Sequence, residues 1–454
     1  MKNNRFHTVL FSIVLIGLFL PMIQMVKPFV EVGNLFGSIV PTKKDSLTAE
    51  SWFNATFQEN RNAYINEQFG FRNTAVRFHN QIAYELFRKA KANGVIIGKK
   101  DYLYEIKYIN AFRGAEEVSA AKVDSNLVML KALQTKLKEK GVELVVVMNP
   151  GKASFYPEFI PDEFPILSNR SYYSEYQKGL ERQGIQHIDF GKWFREMKGK
   201  TPAPLFPKTG IHWSQYGATL AADSLVNYCK KLLGKNMNDF SWNKSDLPLS
   251  MTMESVDDDI GMGMNLLIPI QQIPMAYPRV SVNQKYSVDF GEKGIQPKVI
   301  VISDSYFFNL MQLPWAPDIF QSLNFYFYNE QLQERPEGTM TYFVPLSQMK
   351  DIEKSNVVFI IATECNMDKI GWGFISKAYD YFVLGKNIDS LSQHVDKFKK
   401  IINSDENWLK SVQKKANEQG ISLDTMIMRD TWGKWNIQME IRICLSSVVF
   451  SHYK

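Results

Sequence analysis

Short runs of almost uninterrupted apolar residues, each followed by a stretch of helical spacing, set what this chain can fold into. They are Glu143–Asn149 (ELVVVMN), Ile185–Phe190, Lys298–Ser303 (KVIVIS), Asn324–Tyr328 and Asn356–Thr363 (NVVFIIAT). A strand that is apolar on both faces must be covered on both, which is the mark of a parallel sheet between helical layers. Helices are predicted near 121–140, ending at Gly141 as a natural cap, around 172–182, and over Trp213–Leu233. The sequence therefore predicts an α/β domain with a central parallel sheet flanked by helices. A hairpin, GVIIGKKDYLYE (94–105), opens it, and the poorly patterned residues 236–297 read as an insertion.

Ahead of this domain, Lys2 and Arg5 precede an uncharged run from Thr8 to Val26, closed by Lys27. Nineteen residues come close to the length that crosses a bilayer core as a helix. The basic flank places residues 1–7 in the cytoplasm and the rest outside, a single-pass anchor in the cytoplasmic (inner) membrane with a periplasmic body. A cleaved signal peptide is the alternative, but no small-x-small site follows convincingly. The expected organisation is an anchor over 1–30, a linker and helical stalk over 31–93, the α/β domain over 94–385 and a helical appendage over 386–454. In the stalk, Trp52, Phe53, Phe57, Tyr64, Ile65 and Phe69, then Val76, Phe78, Ile82 and Leu86, recur at three-to-four spacing, with Gly70 between two helices. Residues 390–420 read as two amphipathic helices, and the tail beyond Asp430 has no assignment.

Composition excludes several classes. Hydrophobic residues make up 45% of the 454, as in a globular protein rather than a disordered one. Lys and Arg number 53 against 47 Asp and Glu, and the signs are interleaved, so no nucleic-acid tail is present. The mild surplus leans toward anionic partners such as acidic glycans or lipid headgroups. Three cysteines are too few and too scattered for a disulfide framework or a cysteine-based zinc site. Asp257, Asp258 and Asp259 lack the spacing of a calcium loop and read as an acidic turn. With no phosphate loop, HExxH or dinucleotide fingerprint, neither a metal nor a cofactor is expected.

Two segments carry chemistry. One is Thr209-Gly210-Ile211-His212-Trp213-Ser214, just before a helix; the other is Ser303-Asp304-Ser305-Tyr306, where a strand turns into a helix. A serine hydroxyl is a poor nucleophile unless a base lies within hydrogen-bond reach, and histidine is the usual base near neutral pH. A sharp strand-to-helix turn exposes the serine oxygen at the carboxyl edge of the sheet, where α/β folds bind ligands. Taken alone, Ser-Asp-Ser is more often an ordinary helix cap, and His212 more often a structural histidine than a base. Lys152 and Tyr156 are candidates for contact with an anionic or hydroxyl-rich substrate, and Trp213 and Trp315 for sugar stacking, each with a plain structural alternative.

These segments, with two others, resemble a known family, the alginate O-acetyltransferases and their periplasmic SGNH-type domain. The matching stretches are GKKDYLYE (98–105), MNPGKASFYPEFIP (148–161), PKTGIHWSQYGA (207–218) and VISDSYF (301–307). The histidine motif precedes the serine motif, an order that the family shares and ordinary SGNH esterases reverse. The resemblance implies Ser305 as nucleophile and His212 as general base. It implies acetyl transfer to an exported or cell-surface polysaccharide, with acetyl delivered by a multipass membrane acyltransferase. Asn149 would support the oxyanion as the asparagine of SGNH sites does, with Asp304 in the nucleophile turn. The chain departs from the pattern at two places: the family's aspartate two residues before the histidine is Gly210, and its glycine before Asp-Ser is Ser303. A Ser–His dyad, or an orienting carboxylate from elsewhere such as Glu364, would have to serve. Two other readings stand beside the transferase: a carbohydrate esterase, and a non-catalytic glycan-binding scaffold that has kept the fold.

Overall fold

The computed structural model describes residues 2–386, apart from positions within 38–45 and 234–246, residue 255, and 279–295, 312–318 and 336–339. Beyond these it describes 406–419 and positions 388, 423, 426 and 427, so the sequence predictions for the 390s and for the tail past Asp430, as well as Trp315, lie outside the described residues.

The chain opens with α1 (Lys2–Val26), whose Arg5–Val26 stretch reaches a mean hydropathy of 2.5 over 18 residues and is long and apolar enough to cross a membrane. Three helices follow, α2 (Ala49–Phe53), α3 (Thr56–Gln68) and α4 (Arg72–Phe87). Gly70 separates α3 from α4 because the last turn of α1 rests on it. A methyl group there would stand 2.0 Å from the Pro21 carbonyl oxygen and 2.8 Å from Gln24 Cβ. The segment after α1 is laced along α4: Phe29 meets Phe71 edge-on at 5.9 Å, and Arg77 donates to the carbonyls of Gly33 at 2.9 Å and Asn34 at 2.5 Å.

The domain begins with the antiparallel pair β1 (Val95–Ile97) and β2 (Leu103–Glu105), then α5 (Ile106–Phe112), α6 (Ala120–Glu139) and β3 (Glu143–Asn149). Next come α7 (Lys152–Phe155), α8 (Tyr172–Gln183), β4 (His187–Asp189), α9 (Phe190–Met197) and α10 (Gln215–Leu233). The expected insertion holds a small ribbon, β5 (Leu249–Ser250) with β6 (Met275–Ala276), and between them the single turn α11 (Asp259–Gly263). The chain re-enters the sheet with β7 (Lys298–Ser303), α12 (Tyr306–Met311), β8 (Ser322–Phe327), β9 (Gln331–Arg335) and β10 (Thr341–Tyr342). It continues through α13 (Pro345–Glu353), β11 (Val357–Thr363) and α14 (Phe374–Phe382), and α15 (Glu406–Gln419) lies beyond.

The sheet runs β10-β9-β8-β7-β11-β3-β4. From β8 to β4 every pairing is parallel, whereas β9 and β10 add an antiparallel edge that the apolar patterning did not announce. Successive residues feed opposite layers. Val145, Val147, Val299, Val301 and Phe359 join one core, and Leu144, Val146, Ile300, Ile302 and Val358 the other. Each such side chain contributes about 1.5–3 kcal/mol by leaving water. Register aligns the strand ends, with Thr363 opposite Asn149 and Ile360 opposite Ile302, so the turn after β7 emerges beside the ends of β11 and β3.

Candidate active site

Ser305 occupies the turn from β7 into α12, and Asp304 holds that turn in place. One oxygen of the fully buried Asp304 carboxyl accepts from the Thr363 amide and from Asn366 Nδ2, both at 2.8 Å, and the other accepts from the Tyr306 amide at 3.2 Å. With its oxygens spent as acceptors, Asp304 anchors the nucleophile turn to β11 and donates nothing to an oxyanion.

His212 reaches Ser305 from the loop before α10. Its Nε2 lies 3.0 Å from Ser305 Oγ, and its Nδ1 lies 3.0 Å from Asp259 Oδ2. The other oxygen of Asp259 accepts from the amides of Ile211 at 3.0 Å and Ile260 at 2.7 Å. The carboxylate is thereby fixed to the histidine loop on one side and to α11 on the other. A carboxylate only accepts, so Nδ1 carries the proton and the Nε2 lone pair faces the serine hydroxyl. Tyr306 closes the back of the site: its hydroxyl donates to the Ile211 carbonyl at 2.8 Å, and its ring lies 4.9 Å from the imidazole.

The orienting carboxylate is thus Asp259, a residue read from sequence as part of an acidic turn. Its neighbours explain the glycine at position 210. A methyl group on Gly210 would stand 2.6 Å from the Val256 carbonyl oxygen and 2.8 Å from that of Asp257. The backbone leading to Asp259 fills the space that a side chain at 210 would need. Asp258 and Asp257 complete the seat. Asp258 Oδ1 accepts from Thr209 Oγ1 at 2.5 Å and Gln272 Nε2 at 3.0 Å, and the Thr209 carbonyl accepts from the Gly261 amide at 3.0 Å. Burial raises the carboxyl of Asp258 and pushes that of Asp257 up to about 7.

The far end of α11 is held by the stalk. Asn80, buried on α4, donates to the Met264 carbonyl at 2.9 Å, and Gln81 accepts from the Ile268 amide at 3.0 Å. Asn265 exchanges two hydrogen bonds with the backbone of Phe36, at 2.8 and 3.0 Å.

The other residues named from sequence fare differently. Glu364 is no partner of His212: its buried carboxyl faces Ser154 and the Gly151 backbone, and burial raises its pKa. Trp213 offers no sugar face, being enclosed by Phe190, Phe194 and Tyr306. Tyr156 is half-buried in an aromatic cluster with Tyr102, Phe155 and Phe159. Asn149 ends β3 with its side chain buried and neither amide atom hydrogen-bonded to protein.

Lys152 is fully buried and cannot meet a substrate. Its amine donates to the carbonyls of Lys208 at 2.8 Å and Gly210 at 2.6 Å and lies over the rings of Tyr102 and Tyr104, so it is an internal tether of the histidine loop. Burial brings its pKa down to about 7. An unfolded lysine titrates at about 10.4, so between about pH 7 and 10 the unfolded chain binds more protons there. The contribution of Lys152 to stability is therefore least favourable below about pH 7 and improves as the pH rises through that window. Lys152→Met is expected to remove this rise, read as a parent melting temperature that falls relative to the variant's as the pH is lowered from about 10 to 7. Melting curves that stay parallel across the window would contradict the assignment.

Known proteins match the part of the chain that carries His212. Residues 95–244, about a third of the chain, match the family model described as "SGNH hydrolase-like domain, acetyltransferase AlgX". Ser305 and Asp259 lie outside the matched stretch. "Probable alginate O-acetylase AlgJ" of Pseudomonas aeruginosa is 28% identical over 163 residues, covering 36% of this chain and 40% of that protein. Its counterpart in Pseudomonas syringae is 24% identical over 181 residues, covering 40% and 44%. The chain thus spans about two fifths of the length of the curated relatives it matches. Among solved structures, the O-acetyltransferase domain of Pseudomonas putida AlgJ aligns over 63% of this chain and 99% of that one, at 16% identity and a TM-score of 0.39. Residues 95–244 are thus similar to the SGNH hydrolase-like domain of AlgX, and part of the chain is similar to AlgJ.

Proposed function

We propose that Ser305, His212 and Asp259 form a catalytic triad that transfers an acyl group, acetyl by likeness to the relatives, to a hydroxyl of an exported polysaccharide. The hydrogen-bonded chain from Asp259 through His212 to Ser305, with both links at 3.0 Å, carries this reading. His212 Nε2 takes the proton of Ser305 as Oγ attacks the donor carbonyl, and returns it to the leaving group as the acyl-serine forms. A sugar hydroxyl then attacks the ester, its proton passes to Nε2, and Ser305 leaves with that proton restored. Asp259 fixes the tautomer and stabilises the imidazolium formed in both halves. Asn149, two strands from β7 with unclaimed amide protons, is the candidate donor to the oxyanion.

If water attacks the acyl-serine instead, the same site is an esterase; the resemblance to acetylases favours the sugar. A scaffold role needs no aligned triad. The anchor is assigned to the inner membrane with the domain outside, and a multipass acyltransferase as the source of acetyl, because acetyl donors are made in the cytoplasm.

The full chain in detergent, given an activated acetyl ester, tests the scheme. Ser305→Ala and His212→Ala are each expected to lower acetyl release by at least about 10³-fold. Activity indifferent to both changes, or a folded but inert parent, would remove the triad as its source. Adding oligosaccharide acceptors then separates transfer from hydrolysis.

A further inference from the structure

The apolar stretch Arg5–Val26 of α1 is 22 residues long, so as a helix it spans about 33 Å against a hydrocarbon core of about 30 Å. Pro21 therefore lies only about 8 Å from its end, with Gln24 and Met25 closer still. The rest of the chain packs on that last turn, not beyond it. A methyl group on Gly70 would meet the Pro21 carbonyl oxygen, Gln24 Cβ and, at 2.9 Å, the Met25 amide nitrogen. Whatever depth the end of α1 takes in a bilayer, the corner between α3 and α4 takes with it.

A second stretch is folded onto the same turn. Gln24, buried near the end of this exposed apolar helix, accepts from the amides of Phe29 at 3.1 Å and Val30 at 3.2 Å and donates to the Val30 carbonyl at 2.5 Å. The chain is thereby held beside the end of α1. The corner it meets is stiff: Phe71 stands at φ 62°, a region that bulky residues avoid, and the Arg72 amide donates to the Phe69 carbonyl at 3.0 Å. Around this junction Phe29, Val30 and Phe69 are 56%, 46% and 48% exposed. Apolar residues scattered singly over a surface need no explanation, but three gathered at the end of a helix of membrane length do.

We propose that this junction is a collar seated in the membrane surface. Phe29, Val30 and Phe69 enter the boundary between headgroups and acyl chains in the leaflet where α1 ends, and the exposed Lys27 meets lipid phosphates. The occupant is lipid because the collar is fastened within the last turn of the helix that itself faces lipid when it spans. Phenyl and aliphatic groups are the usual apolar contacts of segments lying in that boundary, and a lysine beside them keeps its stem in apolar surroundings while its ammonium reaches the headgroups. The proposal rests on α1 crossing a bilayer and on nothing in the chemistry of Ser305.

Depth measured with a spin label tests the collar directly. Cys229 and Cys365 are buried, and Cys444→Ser removes the third cysteine. In that background the full chain is reconstituted into vesicles of phosphatidylcholine and phosphatidylglycerol, with a nitroxide attached at Phe29→Cys or, separately, at Phe69→Cys. Relaxation by oxygen, which concentrates among acyl chains, is compared with relaxation by a water-soluble nickel chelate. Ile16→Cys within α1 and Glu181→Cys on the exposed side of α8 set the two limits. At positions 29 and 69 the oxygen-to-nickel ratio is expected to exceed that at 181 by about threefold and to stay below that at 16, as a depth of about 5–10 Å requires. Each labelled chain is checked by its melting temperature, and the two positions report independently. A deep label at 16 with ratios at 29 and 69 equal to that at 181 overturns the collar alone. Poor access to both reagents at 29 and 69 means that protein, a second copy or a partner, covers the junction, and overturns lipid as its occupant. A label at 16 that reads as water removes the span itself, and the collar with it.

Discussion

Asp259→Asn is expected to lower the rate of acyl transfer by about 10³–10⁴-fold while leaving the melting temperature close to that of the parent. The substitution keeps shape and size. The remaining carbonyl oxygen can still accept from the Ile211 and Ile260 amides, which hold α11 to the histidine loop. The group facing His212 becomes an NH₂, which demands a lone pair on Nδ1 and so forces the proton onto Nε2. An imidazole protonated on Nε2 cannot take the proton of Ser305, 3.0 Å away. Steady-state kinetics with an activated acetyl ester, beside a thermal melt, read the two halves separately. A variant that retains parental turnover would show that Asp259 does not set the tautomer. One that unfolds would show that its role is mainly to hold the loop.

Gly210→Asp yields the second large effect, and its sign is opposite to what the motif alone would suggest. Restoring the family's aspartate should help a site that lacks its carboxylate. This site has one already, supplied by a backbone segment lying where the restored side chain would go. The clash begins at Cβ, 2.6 Å from the Val256 carbonyl oxygen and 2.8 Å from that of Asp257. Neither oxygen can swing aside as the end of a long side chain would, so residues 256–259 must move. Overpacking of this kind costs about 1–3 kcal/mol. A shift of about 1 Å at Asp259 would reduce turnover about 10²-fold. Gly210→Ala should err in the same direction, since the collision does not depend on the carboxyl group. A stable, active Gly210→Asp protein would show that the insertion yields readily and that the two carboxylate positions are interchangeable.

The sheet was legible because its strands are apolar on both faces, a pattern that little else produces. KVIVIS and NVVFIIAT fall within a residue of the β7 and β11 observed. The edge strands β9 and β10 escaped notice because QLQER and TY are polar and short, as a partly solvated edge permits. Ser305 and His212 were legible through their motifs, although they lie 93 residues apart. Asp259 was not. It sits 47 residues from His212 in the most weakly patterned stretch, and its role depends on how one turn of helix is seated. That seating is decided by an absent side chain at 210 and by Asn80 in the stalk. Local periodicity registers neither. A glycine where a motif wants a carboxylate is the one available signal, since it marks room for another backbone. Lys152 misled for a related reason: a loop lysine usually points to water, and only the fold shows two carbonyls turned inward to receive it.

The hydrogen bonds from α4 to the chain just beyond α11 have a mechanical meaning. The last turn of α1 sits on Gly70, the following segment is fastened to Arg77, and Asn80 grips the end of the turn that begins with Asp259. The link between the apolar N-terminal helix and Ser305 is therefore a bracket, not a leash. A leashed domain would wander over a hemisphere around its attachment point and meet a passing polymer at any height. A bracketed one, with its first helix seated in a bilayer, presents Ser305 at one stand-off and one bearing. For the transfer proposed above, a glycan emerging from a fixed exit in the same plane would be acylated according to where it is threaded as much as to what its sugars are.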